Sequence, residues 1–420
     1  MLKRHFLILL IFFCGCKAEE VVVTIEKLPK VVTNFSSDVN YYSATLNGEV
    51  IDDGSSLISE RGFVFSKINT GPTLKDSVFL SGVGKGSFSF KLEGLELNSK
   101  YYFRAYATNK KGTVLGEVQS FTTKDCNLAT SFCEIPRNVE YETVELNGKV
   151  LDEGGGNVKE SGFVYGTNSS PNISNNKILV SKGKGTLNIW LSHLKSDTKY
   201  FVRTYTINEK GVSYGNENIF QTFKINTVVS KTGRVWLDRN LGASQVAISP
   251  TDEKAYGDLY QWGRGVDGHQ KRDSPISNEY SIVDVPGTNN FFIGQTNWRV
   301  PQNDNLWQGV NGINNVCPAG FRLPTKLEWE EEVNSWPNLG ILVTKVDLGY
   351  NSPLKLTTGG YRFPTNATGS IERSGIEGLY WSSTVDNNIN QPFFQWVIKA
   401  GGFIFQATRA AGMSVRCIKD

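Results

Sequence analysis

The sequence predicts a mostly β protein: two tandem antiparallel β-sandwiches followed by a C-terminal α+β domain of different make-up. Three observations carry this. An internal repeat of about 100 residues alternates with strand periodicity, and the composition changes abruptly near residue 225. Residue usage also favours half-buried strands, with 24 Phe, 16 Tyr and 42 Gly against only two Met. A chain of 420 residues exceeds what one hydrophobic core organises, so several domains are expected.

The N-terminal segment decides the expected location. Lys3 and Arg4 precede an unbroken apolar run from Phe6 to Phe13, and Cys14-Gly15-Cys16 follows. That run is too short to span a bilayer and ends in a small residue before a cysteine. It resembles a bacterial lipoprotein signal, which implies removal of residues 1–15 and acylation of Cys16 as the new N-terminus. The next residues, Lys17-Ala18-Glu19-Glu20, resemble the charged export signal that sends Bacteroidetes lipoproteins to the outer face of the outer membrane. Each buried acyl methylene contributes about 0.8 kcal/mol, so more than one chain gives lasting attachment. The expected membrane contact is this anchor, followed by a tether over 16–29.

Charge excludes other partners. Loss of Lys3 and Arg4 with the signal leaves 42 basic against 41 acidic residues, with no basic footprint for nucleic acid or an anionic lipid surface. No cofactor is expected. In the oxidising compartment that the signal implies, Cys126, Cys133, Cys317 and Cys417 allow three disulfide connectivities. Proximity and domain membership favour Cys126–Cys133 and Cys317–Cys417.

The repeat defines domains at 30–124 and 134–224, joined by a linker over 125–133 that holds a cysteine pair. ATLNGEV (44–50) returns as VELNGKV (144–150), RGFVFS (61–66) as SGFVYG (161–166), and GKGSFSFKLEGL (84–95) as GKGTLNIWLSHL (183–194). KYYFRAYATNKKG (100–112) returns as KYFVRTYTINEKG (199–211). Tyr101, Phe103, Ala105 and Ala107 share one face of a strand, and Tyr102, Arg104 and Tyr106 the other. The GVGKG stretch (82–86) lacks the spacing of a phosphate loop and reads as a Gly-rich hairpin. Leu95 lies six residues before Tyr101, and Leu194 six before Tyr200. This spacing resembles the tyrosine corner of fibronectin type III domains, which implies a Tyr hydroxyl bonded to the chain upstream. Two such domains in line would act as a spacer on the order of 70 Å long, given a radius of gyration of about 13 Å each.

The third region, 225–420, is aromatic and glycine-rich, and eight of the nine Trp lie beyond residue 230. Thr325 and Glu328 form a capping box, and Trp329, Val333 and Trp336 recur at helical spacing, so one amphipathic helix starts there. Glu330, Glu331 and Glu332 read as its solvated face. GRVWLDRNLGAS (233–244), AYGDLYQWGRGVDGH (255–269), CPAGFRLPT (317–325), YWSST (380–384) and GMSVRCIK (412–419) resemble, in order, the FISUMP major paralogous domain family of bacterial surface proteins. GFRLPTKLEWEEE is similar to the helix entry of formylglycine-generating enzymes, which implies a C-type-lectin-like fold. In that fold a disulfide ties the helix region to the last strand, where Cys317 and Cys417 stand.

Three functions follow as expectations. The first is a lipid-anchored surface protein presenting a C-terminal binding domain on a two-domain stalk, for adhesion to or recognition of a glycan or surface protein. Its expected contact region is the aromatic and Gly-rich 256–269 stretch, where QWGRGVDGH (261–269) presents Trp262, Arg264 and His269 outward, with neighbouring turns such as 297–309. The alternatives are a structural envelope component without a free ligand and a carbohydrate-active enzyme. An enzyme would draw on Asp238, Asp258, Asp267 or Glu328. No catalytic constellation and no metal site stand out, and His269 is the single histidine of the terminal domain.

Overall fold

The structure is a computed structural model that describes residues 25–336, 345–364, 368–386, 388–398 and 401–420. The expected lipidation site, Cys16, lies outside the described residues. The chain is mostly β, and its described residues divide into two compact units, the first ending at Asn127 and the second beginning at Leu128.

The first unit is a sandwich of β1 (Lys30–Ser37), β2 (Ala44–Asp52), β3 (Glu60–Ser66), β4 (Ser77–Leu80), β5 (Gly86–Leu92), β6 (Lys100–Asn109), β7 (Gly112–Leu115) and β8 (Gln119–Thr122). One sheet runs β1-β2-β5; the other runs β4-β3-β6-β7, with β8 also paired to β6. Alternation places Ala44, Leu46 and Val50 of β2 in the core, opposite Phe63 and Phe103. Burying each large apolar side chain stabilises by about 1.5–3 kcal/mol. The repeated Leu-Asn-Gly has a packing cause: a Cβ on Gly48 would lie 2.9 Å from both Ala105 and Phe88. The Gly-rich 82–86 segment is not the expected hairpin: it carries the chain from β4 in one sheet to β5 in the other, with Gly82, Gly84 and Gly86 at φ 99°, 86° and 100°.

The second unit begins with the repeat's other copy: β9 (Thr130–Cys133), β10 (Val144–Asp152), β11 (Glu160–Gly166), β12 (Asn176–Ser181), β13 (Gly185–Leu191), β14 (Lys199–Asn208) and β15 (Gly211–Gln221). Its sheets run β13-β10-β9 and β12-β11-β14-β15. Both copies contain the tyrosine corner. The Tyr101 hydroxyl accepts from the Glu96 N–H at 2.9 Å, and the Tyr200 hydroxyl from the Lys195 N–H at 3.0 Å. Both domains are fibronectin type III-like sandwiches.

The expected Cys126–Cys133 bridge is not formed; both are buried free thiols. Strand alternation explains Cys133. It points inward from β9 into the core with Val144 and Val202. Its backbone is held on both sides, the N–H by Asn216 Oδ1 and the carbonyl by the Asn216 and Asn218 amides, all at 2.9 Å. Burial raises its thiol to about 11, so it stays protonated.

The rest of the second unit is α+β. A four-stranded sheet brings Thr227–Val229, Val235–Leu237, Ile418–Lys419 and Phe321–Arg322 together in that order, so the region's second strand, Val235–Leu237, pairs with its last. A second pairs Tyr260–Gln261, Gly412–Met413, Tyr361–Arg362 and Ile371–Glu372, and a meander joins Gly378–Val385, Pro392–Ile398 and Gly401–Gln406. The Cys317–Cys417 disulfide is present and closes 100 residues. Helix α1 (Lys326–Asn334) starts on the expected capping box: Glu328 N–H donates to Thr325 Oγ1 at 3.2 Å, and Thr325 N–H to Glu328 Oε2 at 2.8 Å. Trp329 and Trp336 are buried against Trp236 and Leu354. Glu332 departs from the solvated face expected for the acidic run: it is fully buried and accepts from Trp336 Nε1 and Thr232 Oγ1. The helix is too enclosed here to leave a whole acidic face in water.

Candidate functional site

The 256–269 stretch is interior, which corrects the expectation of an outward-facing loop. Trp262 is 1% exposed, and Arg264 and His269 are 0% exposed. Their polar atoms are spent inside. Trp262 Nε1 donates to the Ser382 carbonyl at 2.9 Å, and the Trp262 carbonyl accepts from Trp298 Nε1 at 2.7 Å. The Arg264 guanidinium donates to Asp267 Oδ2, Gln261 Oε1 and the carbonyls of Asn290 and Thr288, all within 2.9 Å. The faces of Phe292 and Trp298 flank it.

His269 Nε2 accepts from the Gln261 N–H at 3.1 Å, so the proton sits on Nδ1 and is donated to Asp267 Oδ1 at 2.6 Å. Burial, reinforced by the Arg264 charge, holds the imidazole down at about 4 and therefore neutral. Glycines in this stretch serve close packing rather than display. A Cβ on Gly268 (φ 101°) would lie 2.8 Å from Trp190 Nε1 of the second sandwich.

That contact belongs to a seam inside the second unit. Trp190 occupies the strand position held by Lys91 in the first sandwich, facing Glu145 where Lys91 faces Thr45. Lys271 lies over the Trp190 ring at 5.7 Å and reaches Asp258 at 2.8 Å and Glu140 at 3.9 Å. Burial raises both carboxyls, and the Asp258 charge raises Glu140 further. Ala319 N–H donates to Glu142 Oε1 at 3.1 Å. In the first copy the equivalent residues are Asn40 and Tyr42, so the second copy is acidic where it meets its neighbour. A cleft of ≈ 220 Å³ opens at this seam, lined by Glu140, Tyr141, His193, Tyr260 and Asn314.

The other carboxylates of the enzyme alternative are held in pairs. Asp238 accepts from Arg239, Asp267 from Arg264 and His269, and Glu328 from Arg322 and Arg234.

What the 256–269 segment supplies is a platform. The Arg409 guanidinium lies 4.5 Å above the Trp262 ring and is 3% exposed. Its Nη2 donates to Asp304 Oδ1 at 2.6 Å and to Asn390 Oδ1 at 3.3 Å. Its Nε and Nη1, and Thr408 Oγ1 beside them, have no hydrogen-bond partner among the described residues. These residues line a pocket of ≈ 160 Å³ together with Asn297, Gln302, Asn390 and Gln391. Three chain segments converge to build it: the turn after Phe291–Phe292, the turn before Pro392–Ile398, and the segment following Gly401–Gln406. Asn297, Gln302 and Asp304 come from the 297–309 turns expected as contacts. Arg409 was missed. Its local signal is a charge set among Ala407, Ala410 and Ala411, which are small enough to let a guanidinium be enclosed.

No family model and no curated protein matches the chain. Among solved structures it is similar to the sensor domain of the anti-sigma factor RsgI4 of Pseudobacteroides cellulosolvens, at 15% identity and TM-score 0.19, over 23% of this chain and 95% of that one. It is also similar to a human fibronectin type III domain, at 18% identity and TM-score 0.18, over 23% of this chain and 75% of that one.

Proposed function

We propose that the protein is a lipid-anchored surface protein whose C-terminal region, 225–420, binds an extracellular ligand, a glycan or a surface protein. One observation carries the reading: a buried arginine is built into a polar pocket, and two of its donors are unsatisfied among the described residues. Native structures pair almost all such groups, because leaving one unpaired costs about 1–3 kcal/mol or more when charged. A ligand that satisfies them recovers that cost on binding. The FISUMP resemblance and a C-type-lectin-like fold belong to the same proposal. Pairing of Val235–Leu237, near the region's start, with its last strand, short helices against small sheets, and a bridge from the helix entry to the residue before the last strand support them.

The test is a glycan array and surface-protein pull-down with the full-length chain and its Arg409→Gln variant. Binding by the wild type that the variant loses supports the reading. Binding that Arg409→Gln leaves intact contradicts it. Anchoring is tested separately: Cys16→Ala should leave the membrane fraction, and impermeant biotin should label the wild type on intact cells.

A second reading, a structural envelope component, is favoured by exposed apolar residues. Ile282 (72%), Val285 (65%) and Ile313 (66%) all face solvent. Stable co-purification with an envelope assembly and an empty array would support that reading instead.

A further inference from the structure

We infer that the Arg409 pocket takes a single sugar unit bearing a carboxylate, such as a uronic acid. The inference rests on reading the C-terminal region as a binding domain and names the ligand of that same pocket. Its floor is cationic. Arg409 has two donors, Nε and Nη1, without partners among the described residues, and an oxyanion is the group that pairs with guanidinium donors most strongly. Apart from Ile389, its walls are neutral donors and acceptors: the amides of Asn297, Gln302, Asn390 and Gln391, and the hydroxyls of Thr296 and Thr408. An inorganic anion would use the floor and leave the walls idle; a neutral sugar would use the walls and leave the floor unsatisfied. A sugar acid uses both.

Two further observations narrow the class. The Asp304 carboxylate lies 2.6 Å from Nη2, beside the pocket, with 48% of its side chain exposed. Its negative charge opposes a dianion such as phosphate more than a singly charged carboxylate. The volume of ≈ 160 Å³ lies below the roughly 300 Å³ at which drug-sized sites begin, which suits one ring. The Trp262 face is already covered by the guanidinium, so recognition here runs through hydrogen bonds and charge rather than ring stacking.

The experiment titrates the full-length chain by calorimetry with methyl glucuronide, methyl glucoside, sodium acetate, N-acetylaspartate amide and phosphate. Glucuronide should bind at least about tenfold more tightly than each of the others. Arg409→Gln should remove that preference. Asp304→Asn, a change at a half-exposed side chain that keeps the fold, should tighten glucuronide binding several-fold by removing the competing carboxylate. Equal binding of glucoside, or acetate or N-acetylaspartate amide matching glucuronide, would overturn the assignment, the latter in favour of an acidic peptide. A glucuronide preference that survives Arg409→Gln, or weakening by Asp304→Asn, would also overturn it. If the array still shows Arg409-dependent binding of other glycans, the binding function stands and only this ligand class falls.

Discussion

His269 makes the stability of the second unit depend on pH in a window where few other groups titrate. Its imidazole is enclosed, accepts from Gln261, and is held down at about 4 against an ordinary 6.5. In the unfolded chain it takes up a proton as pH falls through 6.5, while in the folded chain it refuses one until about 4. The unfolded state therefore binds more protons between those values, and stability falls as pH falls. Each pH unit is worth about 1.4 kcal/mol, so the loss reaches about 3 kcal/mol near pH 4 and vanishes above pH 7.

Other groups bear on the same range. Glu140 and Asp258, raised by burial, shift stability the opposite way, and Asp267 is lowered by its partners His269 and Arg264. The comparison is therefore wild type against His269→Gln, which keeps an acceptor and a donor but cannot titrate. Urea unfolding followed by Trp fluorescence at pH 7.5, 6.5, 5.5 and 4.5 gives the difference. That difference should shift against the wild type by about 2.5 kcal/mol across the series. A pH-independent difference, or an NMR titration placing His269 near 6.5, would refute the argument.

Three other outcomes follow. Trp190→Lys restores the residue type of the first sandwich and places a second cation beside Lys271. It should destabilise the seam by about 2 kcal/mol and expose the 224–230 connection to limited proteolysis. Arg416→Met strands Asn240 Oδ1 and the Leu237 and Leu354 carbonyls. It should cost at least about 3 kcal/mol in chemical unfolding. Alkylation under denaturing, non-reducing conditions should label Cys126 and Cys133 and spare Cys317 and Cys417, whereas in the native protein both thiols should be protected.

Much of the fold was legible because it rests on short-range rules. The repeat exposed both sandwiches, the Leu-to-Tyr spacing exposed the tyrosine corners, and Thr325 with Glu328 announced the helix. The Cys317–Cys417 pairing followed from domain membership and from the fold that the helix entry resembles. The site was not legible in the same way. Gly, Arg, Asp and His together read as a loop in water, because buried polar groups show their partners only in three dimensions. Trp262 bonds a carbonyl 120 residues away, and Arg264 one that is 24 away. The Cys126–Cys133 expectation failed for a related reason. Closeness in sequence says nothing about a strand that turns one of the two thiols into its own core.

The central claim is that Arg409 sits at the contact surface of a binding domain. The direct measurement is the Nε–H resonance of Arg409 in arginine-labelled full-length protein, assigned by its absence in Arg409→Gln. Addition of methyl glucuronide should shift that resonance in a saturable way, while the same concentration of methyl glucoside should leave it nearly unmoved. An Arg409 resonance that stays fixed while the protein binds ligand elsewhere would contradict the account.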